Sequence, residues 1–349
     1  MKSRSHAFDL LCGICIIRMV MLHLMSFCGF KDLDWWREIM HWSYFFMAFF
    51  FFKAGYFNKR IDGNTRDFVI DKTRRLMVPY FAWGAIGCLV YFAFVIFVFS
   101  PKHSIVRSLS WSHIWETSSF YGNDPLWFLM SFYMMYIVVH LIAKIPALHI
   151  GGKAISWNWI ILLFPYLSYW LHEQGDPLPL RLNNVFFAVF LFWLGKLWHK
   201  AVERMGNRNT ILVSLLLLAG FVALNATFPI RHVMVYNTWE GDFLVLLPTF
   251  VCVMCGLSGL LVAVKLPRIP LIGFIGEHSM VYFVSHWVIL VFYNFVRSAN
   301  GRTLRGHCDD AILLTVIVFV ICSLLVPHIE KIPLLSGRYQ KKKYKLWII

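Results

Sequence analysis

Charge is what this chain of 349 residues lacks most: Asp, Glu, Lys and Arg together make up 15% of it. A soluble domain carries about a quarter. The shortage is sharpest for acid, with 18 Asp and Glu against 33 Lys and Arg. Such a composition argues against a cytosolic globular enzyme, a disordered protein and a fibrous repeat. The chain also has no Gly-rich phosphate loop, no G-x-S-x-G elbow and no H-E-x-x-H zinc pair, which argues against a soluble-type hydrolase or ATPase. No internal repeat is visible, so an inverted-repeat transporter finds no support. The basic start Met1-Lys2-Ser3-Arg4 runs into an apolar stretch to about Phe27 with no A-x-A site after it, so no cleavable signal peptide is expected. Cys252 and Cys255 form a C-x-x-C without a second pair at zinc spacing. The eight cysteines read as small buried hydrophobes, with a redox or metal site as the lesser alternative.

What the chain has in abundance is apolar surface. Hydrophobic residues make up 59%, aromatics 18%, and the mean hydropathy is +0.64. Runs of about 17–25 apolar residues span a bilayer. The sequence predicts an all-α polytopic membrane protein with about ten helices, near 7–28, 40–57, 76–100, 125–145, 155–172, 182–200, 209–226, 242–264, 271–297 and 310–328. Breakers fall between them: Asp62-Gly63-Asn64, Gly151-Gly152, Gly175-Asp176-Pro177, Gly206-Asn207 and Asn300-Gly301. No linker separates domains, so residues 1–349 form one unit with a short basic tail from about 329. With the N-terminus inside and strict alternation, twenty-two Lys and Arg lie in cytoplasmic segments, nine in outer loops, and two, Arg18 and Lys53, within spans. That asymmetry predicts both termini in the cytoplasm, and it accounts for most of the net charge of +15 without a nucleic acid.

Charge inside a span is costly, so it marks candidate chemistry. The first helix carries Asp9, Arg18 and His23. Asp9 reads as a cap or a mouth residue. Arg18 lies too deep to snorkel easily and is expected to face the bundle interior and a partner. His23 lies toward the outer half; it reads as a core residue or as a general base, since a neutral imidazole suits proton removal from a hydroxyl. Lys53, one turn from the inner end of the second helix, reads as a snorkelling cation or an anion ligand. Lys72, Arg74 and Arg75 crowd the cytoplasmic entrance before Pro79. They are either a topology signal or a phosphate clamp, with Arg75 expected to outweigh Lys72. Trp127 reads as aromatic-belt or site residue. Gly276, Ser279, Tyr282 and His286 share a stripe at helical spacing, which suits close packing or a cavity wall.

Four segments resemble the membrane-bound acyltransferase 3 family, which acylates sugars of bacterial envelopes. They are FDLLCGICIIRMVMLH with Asp9 and His23, KTRRLMVPYF, PLWFL from Pro125 to Leu129, and IGEHSMVYFVSHW. The resemblance implies an acyl-CoA donor, usually acetyl-CoA, as co-substrate with no permanently bound cofactor or metal. It implies a glycan or lipid-linked sugar as acceptor at the inner membrane. His23 matches the helix-one His, and the donor and substrate residues would be Arg18, Lys53, Lys72, Arg74, Arg75, Trp127, Ser279, Tyr282 and His286. The family's basic residue about eleven positions before that His is Cys12 here. Many members add a soluble hydrolase-like domain. This chain ends at Ile349, so the membrane domain is expected to complete the transfer or hand it on. The alternative function is a secondary transporter exporting an anionic metabolite or acyl group, for which the same buried cations would serve. A non-catalytic scaffold gives them no use.

Overall fold

The computed structural model describes residues 6–58, 64–98, 111–150, 153–175, 178–267, 269–300 and 308–339. Lys2, Arg4, Lys59, Arg60, Lys102, Arg107, Arg268, Arg302, Arg305 and the basic tail beyond Tyr339 lie outside them. In chain order the helices are α1 His6–Phe27, α2 Asp34–Trp42, α3 Ala48–Phe57, α4 Thr65–Lys72, α5 Val78–Val98, α6 Trp111–Thr117, α7 Trp127–Lys144, α8 Phe164–Glu173, α9 Leu182–Thr227, α10 Phe243–Val264, α11 Pro270–Glu277, α12 Ser279–Ala299, α13 Cys308–Ile329 and α14 Pro333–Ser336. Two antiparallel hairpins interrupt them, β1 Leu148–Ile150 with β2 Lys153–Ile155, and β3 Arg231–Val233 with β4 Thr238–Glu240.

Seven helices among the described residues are long and apolar enough to cross a bilayer: His6–Phe27, Thr65–Phe94, Asp124–Lys144, Pro179–Thr227, Phe243–Val264, Ser279–Ala299 and Ala311–Ile329. Their outward residues, such as Leu216, Ile312 and Leu324, are large, apolar and exposed. In water that would be a liability; against acyl chains it is the favourable surface. The chain is a multi-pass membrane protein.

Three expected spans are not continuous. The run near 40–57 splits into α2, a 3₁₀ turn at Tyr44–Phe46 and α3. Ser43 leaves helical geometry (φ −126°, ψ 19°), and its hydroxyl bonds back to the Ile39 carbonyl. Ten-residue α3 is about 15 Å long, half the hydrocarbon core. The run near 155–172 opens as a 3₁₀ turn, Trp157–Leu163, before α8, where Pro165 occupies the first turn that tolerates it. The run near 271–297 breaks at His278, between α11 and α12. Within α9 the expected Gly206 break is present, with φ 72° and ψ 165°.

Two close crossings position the interior. A Cβ on Gly276 would overlap the Asp9 carbonyl, so α11 lies directly on the start of α1. Cβ atoms on Gly55 and Gly195 would overlap the Phe192 and Phe52 carbonyls, which brings α3 onto α9. Small residues allow backbones this near where apolar burial alone gives helices little reason to associate. The core between them is aromatic: Phe8, Phe49, Phe51, Phe52, Phe187, Phe192 and Phe250 are fully buried.

Candidate active site

The site grows from α1, because its polar side chains meet partners from three other elements. His23 lies against α12. Its ring centroid is 5.3 Å from that of His286 with the planes 24° apart, and 4.7 Å from Trp287 at 90°. Phe27, one turn further along α1, also packs on Trp287 at 5.3 Å, the planes 80° apart. His286 is wholly buried. Its Nδ1 sits 2.9 Å from the Tyr282 carbonyl. A carbonyl only accepts, so Nδ1 carries the hydrogen and donates it, and Nε2 is left with a bare lone pair. That Nε2 is buried and has no partner among the described residues. The remaining stripe residues diverge. The Tyr282 hydroxyl pairs with Ser323 Oγ at 2.6 Å, Gly276 serves the α1 crossing, and Ser279 starts α12.

Arg18 lies five residues before His23 and reaches the broken second span. Its Nε donates to Ser43 Oγ at 3.1 Å, and its guanidinium carbon lies 3.7 Å from the Phe46 ring centroid. Nη1 is buried with no partner among the described residues. The side chain therefore braces the Ser43–Phe46 break and faces protein, not lipid.

Lys53 approaches α1 nearer its N-terminal end. Its Nζ donates to Cys12 Sγ at 3.0 Å. A cation from α3 thus stands beside the position where the resemblance places one on α1. Lys53 also lines a cleft of about 390 Å³ with Phe50, Ala54, Phe57, Asn58, Phe132 and Tyr136. Lys72 also reaches that aromatic wall, its Nζ 4.0 Å from the Tyr136 ring centroid and 5.4 Å from that of Phe68. The structure therefore brings Lys53 and Lys72 together through Tyr136.

Arg74 does not join them, and Arg75 meets Lys72 only through Asp71, whose carboxylate lies 4.0 Å from Lys72 Nζ. Arg74 is exposed, and Arg75 Nε donates to Asp71 at 2.8 Å. Both lie in a π-helical turn, Thr73–Met77. Pro79 has no N–H to offer the Arg75 carbonyl four residues back. Gly337, from the segment after α14, packs onto that carbonyl instead. Nearby, the Leu335 carbonyl accepts from Trp83 Nε1 at 3.0 Å, and Glu330 joins His278 at 2.6 Å to Arg338 at 2.5 Å. Sequence reasoning missed this clasp, whose members are scattered in the chain. Trp127, expected at the outer interface or in the site, is 7% exposed and belongs to the core beside Phe128. Among the described residues no three His, Cys, Asp or Glu side chains converge as metal ligands.

The sequence places this arrangement in a family. The acyltransferase domain of the acyltransferase 3 type matches residues 5–327. The chain belongs to the acyltransferase 3 family. Within this acyltransferase, the matched region contains α1, the π-turn cations, the cleft and α12. No curated protein matches the chain.

The two polar centres of the acyltransferase sit at different depths. Cys12 and His23 are eleven residues apart on α1, about 16 Å along its axis. Cations and aromatic rings surround the centre nearer the start of α1; paired imidazoles and a guanidinium surround the one nearer its end.

Proposed function

We propose that this acyltransferase moves an acyl group, expected to be acetyl, from cytoplasmic acyl-CoA to a sugar hydroxyl of an envelope or exported glycan at the bacterial inner membrane. The observation that carries the reading is the His23–His286 stack, an imidazole pair inside the span region of a chain from an acyltransferase family. His23 is partly accessible, whereas His286 is closed in. His23 is therefore the proton acceptor, and His286 with Trp287 holds its ring in place.

In the step, the acceptor hydroxyl oxygen attacks the thioester carbonyl while His23 takes its proton. The carbon–sulfur bond then breaks, and CoA leaves as the thiolate, to be protonated from His23 or water. Such a base contributes about 10²–10⁴ in rate. On the inner side, Lys53 and Lys72 offer ammonium groups to donor phosphates, and the cleft between α3 and α7 takes the pantetheine arm. Both termini then lie in the cytoplasm. Transfer of labelled acetyl from acetyl-CoA by purified protein, with His23→Ala alongside, tests the reading. No transfer to a panel of glycan acceptors by the intact protein would overturn it.

A further inference from the structure

Among the described residues Arg18, a cation in the membrane interior, has no counter-ion. Its contacts among the described residues are the neutral Ser43 hydroxyl and the Phe46 ring, and one terminal nitrogen is buried and unpartnered. A guanidinium removed from water and left unpaired is among the most costly arrangements a protein can hold. In a span it marks a place where an anion belongs. The guanidinium is also preformed for that task. Ser43 fixes Nε and Phe46 fixes the plane, so the free terminal edge offers donors in the forked geometry that carboxylate and phosphate oxygens match.

His23 stands on the same helix, about 7.5 Å further along the axis. We infer that Arg18 is an anion subsite: the reaction takes a substrate carrying a carboxylate or phosphate group within about one sugar ring of the bond being formed. This deepens the acyl-transfer reading above and rests on it. A charged group held by Arg18 would place a neighbouring hydroxyl, or the carbonyl of a dicarboxylic acyl group, at His23. The anion is carried either by the acceptor sugar or by the acyl group; the chemistry at Arg18 is the same.

The test uses the full chain in nanodiscs with charged probes and neutral counterparts. Acceptors are methyl β-glucuronide, glucose 1-phosphate and the neutral methyl β-glucoside, each with acetyl-CoA; donors are succinyl-CoA and acetyl-CoA, each with methyl β-glucoside. CoA release gives kcat/KM, and calorimetry gives acceptor binding without turnover. The expected result is a preference of more than tenfold for one anionic member over its neutral counterpart. Glucuronide or phosphate preference assigns the anion to the acceptor, and succinyl preference assigns it to the acyl group. Arg18→Gln should reduce the preference to within about twofold, and Arg18→Lys should retain part of it. The wild-type comparison stands even if both variants fail to fold. Equal use of charged and neutral probes by the wild type overturns the subsite and leaves the acyltransferase reading intact. Arg18-dependent binding of the anionic probes with no CoA release from any pair upholds the subsite and overturns the transfer reading.

Discussion

Replacing His286 by phenylalanine separates two roles that its position combines. The imidazole is a plate against which His23 stacks, and it is a nitrogen lone pair pointing into a buried space. His286→Phe keeps a ring of similar outline and deletes both nitrogens. If the plate is what matters, the variant retains the aromatic contact, and activity stays close to that of the wild type. His286→Ala removes the plate as well. A ring pair is worth about 0.5–1.5 kcal/mol beyond its area. At about 1.36 kcal/mol per decade of rate, losing it costs between about twofold and just over tenfold in kcat. Removal of the proton acceptor in His23→Ala costs far more, about 10²–10⁴.

The expected series in kcat is therefore wild type, His286→Phe within about threefold, His286→Ala about tenfold down, and His23→Ala near the detection limit. Two further measurements tighten it. The His23→Ala/His286→Ala double variant should be no slower than His23→Ala alone, because a brace has nothing to hold once its ring is gone. Thermal unfolding of His286→Phe should occur no lower than in the wild type, since an unpaired buried acceptor is destabilising by about 1–3 kcal/mol. The assay is initial-rate acetyl transfer at saturating acetyl-CoA. A folded His286→Phe as inactive as His23→Ala would refute the reasoning and move the chemistry to the late helix.

Lys53→Met and Lys72→Met should each raise the donor KM about tenfold or more, since charge-assisted bonds to phosphate contribute about 1.5–3 kcal/mol; Arg75→Ala should change it less than threefold, because its side chain is turned to Asp71. A titration of donor KM across the three variants checks this order, and a dominant Arg75 effect would restore the sequence-based ranking. The β3–β4 hairpin should loosen in acid. His232 is caged by Phe187, Trp239 and Phe250, and burial, aided by the charge of His172, pulls its pKa down to about 3. The opened hairpin would expose an ordinary imidazole near 6.5. The stabilisation is thus complete above about pH 6.5 and declines as pH falls towards 3, by up to about 1.36 kcal/mol per pH unit. Hydrogen exchange of residues 230–240 at pH 7.5 and pH 5 measures it, and an exchange rate that shows no extra opening in acid beyond the chemical rate would contradict the cage. Gly276→Ala, which drives a methyl into the Asp9 carbonyl, should reduce the folded yield severely, whereas Gly206→Ala, with open space around it, should cost only its left-handed strain.

Much of the architecture is legible in the residues themselves. Apolar length and the Gly206 breaker are local properties, and the structure repeats them. The discontinuities are not local. From Trp42 to Phe52 the chain reads as one apolar run, yet the helix stops at Ser43. What holds the break is tertiary: Arg18 from α1 bonds Ser43 and covers Phe46. A propensity argument sees only the run and extends the helix through it. The same limit applies to the site. His23, Lys53 and Arg18 stand out singly, because charge and imidazole are rare in such surroundings. That His23 meets His286, 263 positions later, and that Lys53 meets Cys12, depends on which helix faces which. Helical spacing within one span carries no information about that.

The broken span and the unpaired guanidinium explain one another. A break at membrane depth exposes backbone groups that lipid cannot satisfy, so it persists only where protein or a cavity meets it. Arg18 supplies the protein side with Nε and its flat face, but it brings a full charge with it. An uncharged partner, a glutamine for instance, would serve the Ser43 hydroxyl at lower cost. Bracing the break therefore accounts for the hydrogen bond and leaves the charge unexplained. The charge becomes intelligible if the terminal edge meets an anion during turnover, when its desolvation is offset by a charge-assisted pair. On that argument Arg18→Gln should keep the fold and the break while altering which substrates are accepted. The decisive contrast is a variant that retains its thermal stability but loses its preference for charged probes.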